Sequence, residues 1–176
     1  ALAGAEKEGL IFFKEDTGVF SHDRIREAIY HLFREDERIQ THYRIGRYML
    51  INTPEKQLDE TIIDIANHFN IARKQITSLD QRYQTARLNC RAGQKAIASG
   101  AFESAFHYFK TGIEFIASDT AHGDANGECW RTDYNLTLEL YYGCAEAGYL
   151  IADYDAMYRL TDEIINRTQT PNDAVG

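Results

Sequence analysis

Three groups of residues in this chain have types and spacings that could do chemistry. The first is Phe20-Ser21-His22-Asp23-Arg24, which runs into Ile25-Arg26-Glu27-Ala28-Ile29-Tyr30. Ser21 suits a helix N-cap, where its oxygen accepts an otherwise unpaired amide. Asp23 falls in the first turn and favours the positive helix end. His22 then stands where amide dipoles favour an anion and where an imidazole could donate a hydrogen bond to one. The second group is Asp64 and His68, four residues apart on one predicted helix face. That spacing predicts a local hydrogen bond or cap, because a metal would need third and fourth ligands and no other histidine is suitably spaced. His31, His42, His107 and His122 are scattered and read as ordinary surface or half-buried residues. The third group is Arg87, Arg91 and Lys95, a cation every four residues. Such a stripe could engage an acidic peptide, or form local ion pairs along a solvated helix.

Other chemistry finds no residues to carry it. The sequence lacks Gly-x-x-x-x-Gly-Lys-Ser/Thr, Gly-x-Ser-x-Gly and His-Glu-x-x-His, so no phosphate-cradling loop, nucleophile elbow or zinc-protease helix is expected. A net charge of −8 repels polyanions at long range and argues against nucleic acid or an anionic membrane as partner. No apolar run approaches the ~18 residues that would span a bilayer, and no signal peptide is visible. Cys90, Cys129 and Cys144 are an odd, widely spaced set without Cys-x-x-Cys, which suits a reducing cytoplasm. Cys90 and Cys144 lie among small residues in helical patterns and read as buried thiols. Cys129 falls in an expected loop and is the one candidate for reactivity. The chain begins with Ala and ends in a polar segment, as an excised piece of a longer protein would.

Apolar residues make up 44% of the 176, enough for a folded core. Leu10-Ile11-Phe12-Phe13 and Val19-Phe20 are short strand signals around a turn at Asp16-Thr17-Gly18. The rest reads as helix. Ile25, Ile29, Leu32 and Phe33 give one apolar stripe over residues 22–33. A helix over 36–51 follows, with Ile39, Tyr43, Gly46 and Leu50 in register, and Asn52-Thr53-Pro54 stops it. A third covers 58–71 and buries Ile62, Ile65, Ala66 and Phe69. Ser78 with Gln81 forms a capping box that opens a helix to residue 99. Gly100 breaks it, and a partner helix runs over 102–117. A polar loop to residue 128 precedes a second pair over 131–150 and 153–167. Gly93 and Ala105 are expected to face each other where two helices meet, with Phe102 and Phe109 filling the space beside them. Tyr134, Leu138, Tyr141, Tyr142 and Tyr149 read mainly as core.

The Phe-x-His-Asp-Arg run at residues 20–24 resembles the motif that closes the winged helix in signalling NTPases of the STAND class. The closest likeness is to very large bacterial and fungal proteins that join a kinase-like domain, an AAA-like NTPase, helical repeats, a GAF domain and a histidine kinase. Arg44-Ile45-Gly46-Arg47 and Asp64-Ile65-Ala66-Asn67-His68 resemble the same proteins' following helices. Ala92-Gly93, Gly100-Ala101-Phe102, Ala105 and Phe109 resemble a degenerate tetratricopeptide (TPR) unit, lacking the terminal proline and with Asn89 in place of an early aromatic. Tyr141, Cys144-Ala145 and Ala152-Asp153-Tyr154 resemble a second, with Met157 where the first has Ala105. That offset is well beyond the ~34 residues of regular repeats.

The resemblance implies a mainly α fold: a winged-helix remnant with one short β-hairpin and its following helix over 1–52, then TPR-like α-hairpins over 53–176. It implies His22 and Asp23 as nucleotide-sensing residues in the complete polypeptide. In such repeats the first helix lines the concave face, which would make Arg87, Arg91 and Lys95 a partner groove. The function implied is non-catalytic and cytoplasmic, coupling an NTPase module to GAF and histidine-kinase output. It calls for no cofactor or metal, and its partners would be other domains of the same polypeptide or a protein or peptide. The alternatives are a free-standing TPR-like adaptor, or a helical small-ligand sensor like the related maltotriose-responsive activators.

Overall fold

A computed structural model describes residues 11–14, 17–20, 33–117 and 127–167, with side chains from residue 33 onward. The expected helix over 22–33 lies outside these residues, except for Phe33, as does most of the polar loop at 118–126. The described chain is mainly helical, and it divides into two compact units, Ala1–Thr41 and His42–Gly176.

In the first unit, β1 (Ile11–Lys14) pairs antiparallel with β2 (Thr17–Phe20), Ile11 opposite Phe20 and Lys14 opposite Thr17. Thr17 and Gly18, expected in the turn, are therefore strand residues. Helix α1 (Glu35–Asn52) starts in this unit and continues into the next. Glu35, Asp36 and Glu37 crowd its first turn, where the dipole favours acids. The Glu37 carboxylate accepts the Arg34 backbone N–H at 3.0 Å, closing the helix start.

Among the described residues, the second unit holds the C-terminal half of α1 and six further helices: α2 (Glu55–Ile71), α3 (Leu79–Ala98), α4 (Phe102–Ile116), α5 (Glu128–Thr132), α6 (Tyr134–Leu150) and α7 (Tyr154–Arg167). A 3-10 turn at Arg73–Gln75 joins α2 to α3. Ser78 caps α3 as expected, its oxygen accepting the Gln81 N–H at 3.3 Å. Half of the capping box is redirected, because the Gln81 amide donates to the Tyr43 hydroxyl on α1 at 2.9 Å. The helix expected over 131–150 is broken at Asp133, which leaves helical geometry and caps α6 by accepting the Leu136 N–H at 3.2 Å.

Helices α3 and α6 end in the same way. Gly100 and Ala152 both adopt the left-handed conformation, with φ of 74° and 62°. The residue after each, Ala101 or Asp153, donates its N–H five residues back, to Ala96 or Gly148, at 2.9 Å. This is a Schellman cap used twice, at positions 52 residues apart. Glycine accommodates it freely at position 100; Ala152 adopts it against its Cβ. The turn chemistry thus marks two α-hairpins, α3–α4 and α6–α7, despite their different lengths.

The core runs through α2, α3, α4 and α6, with Ile62, Ile65 and Leu140 fully buried. At its centre the Phe109 ring of α4 is held between two glycines. A Cβ on Gly93 of α3 would fall 2.7 Å from that ring, and one on Gly143 of α6 would fall 2.5 Å from it. Gly93 therefore admits an aromatic side chain from α4, where the sequence suggested Ala105. Ala105 is fully buried, whereas Phe102 is half-exposed. Asn89 also finds its reason. Its amide exchanges two hydrogen bonds with Asn70 of α2, at 2.9 and 2.8 Å, and donates to the Thr85 carbonyl at 3.0 Å. An aromatic there would leave Asn70 without this partner, and a half-satisfied buried amide is costly.

Candidate functional site

The two helical stripes that face each other between α1 and α3 form a cleft of about 240 Å³. Tyr43, Arg47, Leu50 and Ile51 follow at i, i+4, i+7 and i+8 on α1; Gln81, Gln84, Thr85 and Leu88 follow at i, i+3, i+4 and i+7 on α3. Phe69 and Ile76, both buried, close the floor. Gly46 lets α1 come this close to α2, since a Cβ there would sit 3.2 Å from the His68 Cβ and 3.4 Å from the Phe69 ring. The glycine of Arg44-Ile45-Gly46-Arg47 is thus a packing residue, and Arg47 lines the cleft. Its guanidinium lies 5.9 Å from the Tyr43 ring centroid, a weak cation–π contact. Tyr43 is itself set by the Gln81 amide and by an edge contact with Phe69, ring centroids 6.1 Å apart.

The cationic stripe on α3 is placed differently. Arg87 donates twice to the Asp133 carboxylate, at 2.8 and 2.6 Å. Arg91 bridges Glu55 and Asp59 of α2 at 2.9 and 2.8 Å. Lys95 donates to the Asp59 and Glu60 carbonyls. Each cation already holds α3 to a neighbouring segment, so a peptide bound there would have to displace these contacts. Exposed pairs of this kind contribute about 0–1 kcal/mol each. An open cleft beside Arg91 and Lys95 is walled by Asp59 and Glu60.

His68 does not hydrogen-bond Asp64 as its spacing suggested. Its Nδ1 lies 2.8 Å from the Nδ1 of His42 on α1, a contact that requires at least one bare ring nitrogen. Burial lowers the His68 pKa from its ordinary value of 6.5, and the Asp64 charge opposes that shift. The fold therefore favours the neutral ring, and the stability this provides is present above pH 6.5 and lost as pH falls through the lowered native value. The urea midpoint should accordingly drop between about pH 7 and about pH 5, and His68→Gln should flatten that dependence. Equal slopes for both proteins would show that the pair does not titrate in this way.

All three cysteines are buried, including Cys129, which lies in α5 and is 1% exposed. Its expected loop position and reactivity are both corrected by this burial. Burial pushes the Cys90 and Cys144 thiols up to about 12, so neither is a nucleophile at neutral pH. Of the tyrosine cluster, Tyr134, Leu138 and Tyr141 pack against the core, while Tyr142 and Tyr149 are exposed. His22, Asp23, His31 and His122 lie outside the described residues. Among the described residues, no group of three or more His, Cys, Asp or Glu could hold a metal, and no helix is long and apolar enough to cross a membrane. Sequence reasoning missed the Arg47 cleft, although the two facing stripes that build it were present as heptad-like spacings.

No family model matches this chain, and no solved structure matches it. It is similar to the hybrid signal transduction histidine kinase G of Dictyostelium discoideum, with 24% identity over 165 residues. The similarity covers 85% of this chain and 5% of that protein, so the chain spans a small part of its relative's length.

Proposed function

We propose that this chain is a non-catalytic regulatory region of a large signal-transduction protein. The observation that carries the reading is the similarity to a hybrid signal transduction histidine kinase, which runs through most of the chain. The relationship supports a signalling context. Its small share of the relative fits one segment among many. The finer reading adds a winged-helix remnant with its following helix over residues 1–52 and TPR-like hairpins over 53–176, transmitting a change from an upstream NTPase module to GAF and histidine-kinase output. The paired Schellman caps and the successive packing of α2, α3, α4, α6 and α7 support a repeat-like stack. Such stacks present long surfaces and transmit small shifts between neighbouring hairpins.

Sequencing the complete transcript tests this. The reading expects a Gly-x-x-x-x-Gly-Lys-Ser/Thr loop upstream and GAF and histidine-kinase motifs downstream. A short reading frame holding this region alone would favour the free-standing adaptor instead. The cleft beside Arg47 favours a further possibility, a helical small-ligand sensor.

A further inference from the structure

The cleft between α1 and α3 combines three properties. Its floor is apolar, made by Leu50, Phe69, Ile76 and Leu88. Its rim is polar, with Gln81 and Gln84 on one wall and the Tyr43 hydroxyl at its edge. That hydroxyl accepts from Gln81 and keeps its own proton to donate. The third property is Arg47. The arginines of α3 are all engaged: Arg82 with the Phe115 and Ala117 carbonyls, Arg87 with Asp133, and Arg91 with Glu55 and Asp59. Arg47 is exposed and has the Tyr43 ring as its neighbour, with no ion pair to any described carboxylate. In a chain with 27 acidic against 19 basic side chains, this arginine stands at an apolar cleft with its guanidinium clear of the described carboxylates.

We infer that this cleft binds a small monocarboxylate with an apolar body, its carboxylate on Arg47 and the Tyr43 hydroxyl, its body on Leu50, Phe69 and Leu88. Size sets the class. A dry cavity of about 150 Å³ accepts benzene, so 240 Å³ open on one side takes a ring with a short linker. Charge sets the rest. The net −8 disfavours polyanions such as nucleotides or acidic peptides at long range, whereas one carboxylate meets one guanidinium in a fork geometry. The ligand bridges α1 and α3, so its binding would fix the angle between those two helices. The inference holds whether or not the signalling reading does.

The test titrates the isolated protein with 3-phenylpropionate and with its neutral amide, following the methyl and ring NMR signals of Leu50, Leu88 and Tyr43. The acid should shift these signals saturably and bind about tenfold more tightly than the amide, the margin of a charge-assisted bond over a neutral one. Arg47→Gln should abolish that preference with the melting temperature unchanged. Arg44→Gln removes the same charge from the same helix away from the cleft and should preserve the preference. Equal binding of acid and amide, no saturable shift, or equal losses in the two variants would each overturn the inference.

Discussion

Phe109→Ala should destabilise the helical unit by about 3–5 kcal/mol, a large share of the roughly 5–15 kcal/mol that holds a domain folded. The ring is 2% exposed and joins three helices at one point. Truncating it removes its apolar burial and leaves a cavity, and the cavity term depends on how well neighbours can collapse. Here they collapse poorly, because the ring is met by Gly93 and Gly143, which have no side chains to swing inward. The expected loss therefore lies toward the upper end. The opposite error, Gly143→Ala, would place a Cβ 2.5 Å from the same ring and force it off its position. Urea denaturation followed by circular dichroism measures both. A loss below about 1 kcal/mol for Phe109→Ala would mean that the ring is not the junction described.

Where local chemistry sets the backbone, the sequence reading and the structure agree. Pro54, Ser78 and Gly100 placed helix limits to within a few residues, because caps and breakers act over one turn. Period-3.6 patterning likewise identified the buried face of α2. The misses are tertiary. Asp133 breaks an apparently continuous helix because its carboxylate caps α6 and anchors Arg87. Gly93 looked like a site for close helix approach, yet what fills it is Phe109, a residue 16 positions on. His42 and His68 lie 26 residues apart and share no motif, so their contact follows from the approach of α1 to α2 at Gly46. Arg87, Arg91 and Lys95 formed a legible stripe, but periodicity alone does not distinguish a free cation from one that clamps a neighbouring helix. The same blindness hid Arg47, whose significance is that no described carboxylate pairs with it.

In the proposed reading His22 senses nucleotide in the complete polypeptide, so replacing it there should change nucleotide handling. Under the proposed reading the imidazole at a helix start donates to a nucleotide phosphate and clamps the winged helix on the NTPase module. Alanine removes one contact made only in the closed state. A loss of about 1–2 kcal/mol shifts a closed-to-open ratio by roughly five- to thirtyfold. The resting state would then be less populated, and basal signalling output should rise by a similar factor. The stability of the isolated chain should barely move. The decisive measurement is the dissociation rate of ADP from the complete protein with His22 and with His22→Ala. Release should be faster by about five- to thirtyfold, together with an unchanged melting temperature for the isolated 176-residue chain. Equal ADP release from both proteins, or unfolding of the isolated chain by the substitution, would contradict it.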